Sequence, residues 1–160
     1  MDNILLDADQ FDRTPVFVEN AFNKLPSWDD VIADFDLEVK TNWDQVKDTG
    51  NLGVVTHFAE KIPEVNEIRK FIHSLRPNEL KCTAHLYISF LSTSHTFGWH
   101  SDTTDVFYVQ AKGNTVWEVE FESKVTQYIL SPGDLIYVPK FIKHNTIPQS
   151  PRVGISLGFN

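Results

Sequence analysis

The sequence predicts a mainly β protein, a sandwich or barrel preceded by two or so helices, and two observations carry that expectation. The hydrophobic pattern changes from a helical period to a period of two at Cys82. From there short strand candidates follow one another closely, divided by turns that bear Gly, Pro or Asn. With 41% hydrophobic and 22% charged residues the composition is that of a globular chain, and 160 residues can bury one core, so a single domain over 1–160 is expected.

Element by element, Thr14-Pro15-Val16-Phe17-Val18 reads as a short extended run. Ser27 then stands as a helix N-cap, with Asp29 and Asp30 in the first turn and Val31, Ile32 and Phe35 at helical spacing behind it. Residues 41–53 carry no recognisable signature and read as a loop. Val65, Ile68, Phe71, Ile72 and Leu75 mark a second helix over 63–75, which Pro77 ends. In the strand from 82, Cys82, Ala84, Leu86, Ile88 and Phe90 share one face, and Thr83, His85, Tyr87 and Ser89 share the other. Further strands are expected over 105–110, 115–121, 125–130, 135–138 and 153–159, with turns at Lys112-Gly113-Asn114 and Ser131-Pro132-Gly133-Asp134.

The bulk numbers exclude several classes of function. A formal net charge of -8 disfavours nucleic acid as the main partner, because such binding depends on Lys and Arg neutralising phosphates. The first ten residues lack a basic start and an apolar core, and no apolar run is long enough to span a bilayer, so a cytoplasmic protein without a membrane partner is expected. The lone Cys82 permits neither an intramolecular disulfide nor a thiolate zinc site. Any metal must be held by nitrogen and oxygen.

His100-Ser101-Asp102 supplies such ligands. In an extended segment residues two apart point to one side, so both can reach a single ion. Alone, the pair also reads as an ordinary surface pair. Its context argues for more: it follows Phe97-Gly98-Trp99, and it is answered by His144, which comes after a Pro-Gly-Asp turn, a short apolar strand and Pro139. Antiparallel pairing through two or three hairpins brings such a residue beside His100. Two histidines and one carboxylate on one face of an octahedral ion leave the other face open, the arrangement of non-haem Fe(II) oxygenases. Of the other histidines, His57 and His95 read as surface residues in loops. His85 either lines a pocket or faces water.

In this order the residues resemble the Jumonji C and cupin-like hydroxylases, especially the ribosomal-protein hydroxylase branch. The motifs are Phe97-Gly98-Trp99-His100-Ser101-Asp102, Asp105 to Gln110, Gly113 and Trp117. Upstream, His85-Leu86-Tyr87-Ile88-Ser89 is similar to that family's Asn-x-Tyr-x-Thr strand. Downstream, His144 and Gly154-Ile155-Ser156-Leu157-Gly158-Phe159 complete the pattern. The resemblance implies a double-stranded β-helix (a cupin-like jelly roll) reduced to the catalytic barrel, and a monomer or weak homodimer. It also implies Fe(II) on His100, Asp102 and His144, with 2-oxoglutarate and dioxygen as cosubstrates.

One position departs from the family. Thr115 stands where the family places a Lys or Arg for the distal carboxylate of 2-oxoglutarate. A desolvated carboxylate needs a cation or several donors. Arg152, at the head of the last strand and in phase with Gly154, Ser156 and Gly158, is the candidate replacement, to act with Thr115, Tyr87 and Ser89. A solvated arginine at a strand edge is the competing reading.

The function these residues imply is hydroxylation of a protein side chain, peptide or small molecule, with succinate and CO2 as co-products. Two rivals stand beside it. One is a metal-dependent cupin, a dioxygenase or isomerase that does not use 2-oxoglutarate. The other is a jelly-roll binding module without catalysis.

Overall fold

The computed structural model describes residues 14–57 and 59–159, so the reading of the first ten residues lies outside the described part. Its strands are β1 (Val16–Val18), β2 (Val46–Gly50), β3 (Gly53–His57), β4 (Cys82–Ser89), β5 (Val106–Lys112), β6 (Thr115–Phe121), β7 (Lys124–Leu130), β8 (Leu135–Val138), β9 (Lys143–Pro148) and β10 (Arg152–Phe159). Two helices, α1 (Trp28–Thr41) and α2 (Pro63–Ser74), precede β4.

The strands form two sheets. The larger has seven strands in the order β1-β8-β5-β10-β4-β3-β2, and the smaller has three in the order β7-β6-β9. All their pairings are antiparallel. This is the jelly-roll architecture expected, two sheets packed face to face, with β1 to β5 in the large sheet and the chain crossing between the sheets after β5, β7, β8 and β9.

The period of two in β4 explains how the layers form. Cys82, Ala84, Leu86 and Ile88 are buried in a core that also takes Phe107, Val109, Ile155 and Leu157 from the same sheet and Val65, Ile68 and Ile72 from α2. That core covers the outer face of the large sheet. On the inner face, Tyr108, Ile136 and Val138 pack against Trp117, Val119 and Leu130 of the small sheet. The inner core fills only part of the intersheet space. The rest is a cavity of about 270 Å³, bordered by Thr83, His85, Tyr87 and Ser89, the other face of β4.

Three sequence expectations need correction. Residues 41–53 are not a loop: β2 pairs with β3 there, and the hairpin extends the large sheet beyond β4. His57 is accordingly a half-buried strand residue opposite His85, not a surface histidine. Residues 143–148, passed over as a strand, form β9, which pairs with β6 and carries His144.

Candidate active site

His100 and His144 meet backbone to backbone. Each amide donates to the other's carbonyl, at 3.0 and 2.8 Å, an isolated antiparallel bridge that sets both side chains at the same level. Their ring centroids are 4.4 Å apart. Asp102 directs its carboxylate to the same point, with Oδ2 3.4 Å from His144 Nε2 and 3.9 Å from His100 Nε2. One ligand atom from each of the three residues lies within 4.8 Å of the others.

Both imidazoles are oriented from behind. His100 Nδ1 donates to the Gly98 carbonyl at 2.8 Å, and His144 Nδ1 donates to the Ile142 carbonyl at 3.0 Å. A proton fixed on each Nδ1 leaves each Nε2 with its lone pair toward Asp102, the state in which imidazole binds a metal. Gly98 has φ +67, a left-handed conformation that favours glycine there. Burial lowers the pKa of His144 below the ordinary histidine value, and His100 beside it acts in the same direction. Trp117 stacks on the His144 ring at 5.2 Å and 20°, and Phe97 meets the His100 ring edge-on at 5.8 Å. Two imidazoles, one carboxylate and an open side match the donor set of a divalent iron site.

A second feature occupies the same cavity. Arg152 is 2% exposed, so the solvated reading of this arginine is corrected. Its Nε donates to Ser89 Oγ at 3.1 Å, and its Nη1 to Tyr108 Oη at 3.0 Å and to Thr115 Oγ1 at 3.2 Å. All these acceptors are neutral. Among the described residues no carboxylate forms an ion pair with it. A buried cation held only by hydroxyls favours an anionic ligand, because an unpaired charge out of water is costly.

The sheet register explains the assembly. Arg152 pairs with Ser89 across β10 and β4, and Gly154 pairs with Tyr87. A Cβ on Gly154 would lie 1.7 Å from Tyr108 Oη, so only glycine lets that ring reach Arg152. Thr115, wholly buried at the start of β6, comes from the opposite sheet. Tyr87 lines the cavity between the two features, its phenol pushed up to about 12 by burial, then by Asp102 and Tyr108. It is therefore a proton donor at neutral pH.

Tyr108 escaped the sequence reading of the site, though the period of two through Val106, Tyr108 and Gln110 places it on the inner face. His85 lines the cavity, which resolves its two readings, and its Nδ1 lies 2.9 Å from His57 Nδ1. Exposed His95 lies at the same cavity. Trp43 and Trp99 are exposed, whereas Trp117 is 3% exposed.

Residues 54–124 match the JmjC domain family. No curated protein matches the sequence. Among solved structures, YcfD, a ribosomal oxygenase from Escherichia coli, superposes with a TM-score of 0.71 at 17% identity, over 91% of this chain and 47% of its own. The same protein in complex with cobalt and 2-oxoglutarate gives 0.71 at 18% identity, over 92% of this chain and 48% of its own. An oxalate decarboxylase from Lactobacillus farciminis gives 0.52 at 13% identity, over 74% of this chain and 32% of its own. The chain thus spans about half the length of the ribosomal oxygenase it matches. Residues 54–124 thus carry the likeness to the JmjC domain family, and over most of its length the chain has the double-stranded β-helix fold of these solved structures.

Proposed function

We propose that this protein is an Fe(II)- and 2-oxoglutarate-dependent oxygenase that hydroxylates a protein side chain, peptide or small molecule. The observation that carries the reading is one cavity with His100, Asp102 and His144 at one place and the buried, carboxylate-free guanidinium of Arg152 at another. In this reading the triad holds the metal through two Nε2 atoms and one carboxylate oxygen. Arg152 pairs with the distal carboxylate of 2-oxoglutarate, while Ser89, Tyr108 and Thr115 orient the guanidinium and Tyr87 donates to the same anion from the cavity wall. With Fe(II) bound, the cosubstrate and dioxygen supply decarboxylation to succinate and CO2 and an oxygen atom for a C–H bond. Trp117 and Phe97 shield the metal ligands from water, and the sheets fix the geometry before substrate arrives.

The cation has changed strands. Thr115 keeps a hydroxyl at the family's basic position, and Arg152 brings the charge from β10 to the same spot, 3.2 Å away. This supports 2-oxoglutarate use over the cupin chemistry that dispenses with it. The intact triad weighs against a binding module without catalysis. A ribosomal oxygenase among the structural relatives favours a protein target. No described helix is long and apolar enough to cross a membrane, and the reading takes the protein as cytoplasmic, a monomer or weak homodimer that does not act on nucleic acid.

Turnover of 2-oxoglutarate to succinate under air with Fe(II) tests the proposal. The wild type should produce succinate, and Arg152→Met should raise the KM for 2-oxoglutarate by roughly tenfold or more, as expected when a charge-assisted pair is lost. An Arg152→Met protein with unchanged KM places the carboxylate elsewhere, and a wild type that forms no succinate removes the cosubstrate from the account.

A further inference from the structure

We infer that Asp105 is a positioning residue for the metal triad, although it touches none of the three ligand side chains. The inference rests on the reading of His100, Asp102 and His144 as metal ligands. It begins with the turn of residues 139–142, which joins β8 to β9 and ends two residues before His144. Its Ile142 carbonyl accepts the Nδ1 proton of His144 and so selects that ligand's tautomer. Its Phe141 amide donates to the Asp102 carbonyl at 2.8 Å, which ties the turn to the second ligand. One turn therefore sets both Asp102 and His144.

Burial holds the two ends of this turn, where Pro139 is buried and Ile142 packs on the inner core, but not its tip. Lys140 is exposed and Phe141 is 66% exposed. Phe141 also has φ +65, a left-handed conformation costly for a bulky side chain, which persists only where the surroundings enforce it. Besides the Phe141 bond, the holding contacts are Ile142 N–H to the Pro139 carbonyl at 3.2 Å and Lys140 N–H to Asp105 Oδ1 at 2.9 Å. Among the described residues, the last is the side-chain hydrogen bond that ties the turn to an element other than that of the ligand it orients.

Asp105 is itself anchored. Its Oδ2 accepts from Arg76 Nη2 at 2.8 Å, in an ion pair whose side chains are each 17% exposed. The same Nη2 donates to Tyr137 Oη at 3.2 Å. The carboxylate thus links the segment after α2, the head of β5 and the turn before His144. Removing it frees the turn, and with it the Ile142 and Phe141 contacts that aim the ligands.

Cobalt(II) titration, followed by its d–d absorption well below the melting temperature, tests this. Asp105→Ala should bind Co(II) about tenfold or more weakly and shift the absorption, the range seen when groups supporting metal ligands are removed. Arg76→Met is the control, since it deletes the ion pair but leaves Asp105 to accept from Lys140. It should lower the melting temperature while keeping Co(II) affinity near that of wild type. Should Asp105→Ala fail to fold, Asp105→Glu displaces the carboxylate by one methylene and should show the same weakening. A folded Asp105 variant with wild-type affinity and spectrum, or an Arg76→Met protein weakened as much as the Asp105 variant, overturns the inference. A wild type without His100-dependent Co(II) binding instead removes the metal reading beneath it.

Discussion

Individual side chains carry this site unequally. Arg152 was legible in the sequence because an arginine in phase with Gly154, Ser156 and Gly158 is chemically unusual on an inward strand face. His100, Asp102 and His144 were legible as a cluster on other grounds: residues two apart in an extended segment share a side, and His144 follows a Pro-Gly-Asp turn and a short apolar strand. His57 was not, because nothing local to residues 53–57 shows that His85 lies across the sheet. The pair has a measurable consequence. Burial, then the neighbouring His57, brings the His85 imidazole down to about 4 from an ordinary 6.5. Between those values the unfolded chain binds the proton more readily, so stability rises with pH through that window. The contribution is complete above about 6.5 and is lost as pH falls toward 4. The melting temperature should therefore drop from pH 7 to pH 5, and His85→Asn should drop less over the same interval. An equal drop in both proteins assigns the effect to other groups.

At the scale of elements, local sequence was a reliable guide where capping or period was strong. Ser27 and Asp30 form a reciprocal capping box, with Ser27 Oγ accepting from the Asp30 amide at 3.1 Å and Asp30 Oδ2 accepting from the Ser27 amide at 2.8 Å. Ser27→Ala should cost about 1 kcal/mol in a denaturant titration, a typical value for a lost N-cap. A loss near zero would mean that packing of Val31 and Phe35 alone sets the start of α1. The hairpin of β2 and β3 was missed for a definite reason. Asn51 and Leu52 both have positive φ, at 50° and 58°, as a tight hairpin turn of primed type requires. The usual signal is Asn-Gly, and a leucine in the second place hides it. β2 adds to the concealment, since Lys47 and Asp48 are exposed on its edge. β9 was obscured by its polar run Lys143-His144-Asn145-Thr146 and by Pro148. Its strand character comes from pairing with β6, a tertiary contact that no local pattern reports.

For the whole molecule, the decisive feature is that two sheets meet over only part of their inner faces. Where they meet, Trp117, Val119 and Leu130 pack on Tyr108, Ile136 and Val138. Beside them, polar side chains of β4 and the small residues of β10 leave a chamber with a metal-ligand corner and a buried cation. That juxtaposition could not be read from periodicity, which gives the face of a residue but not its distance from another strand. The central claim is that the two features serve one complex. Under anaerobic conditions, Fe(II) and then 2-oxoglutarate added to the wild type should produce a visible metal-to-ligand charge-transfer band that is absent in His100→Ala. A protein that binds Fe(II) through His100 yet shows no band with 2-oxoglutarate would contradict the account and give the lead to a metal-dependent cupin chemistry without that cosubstrate.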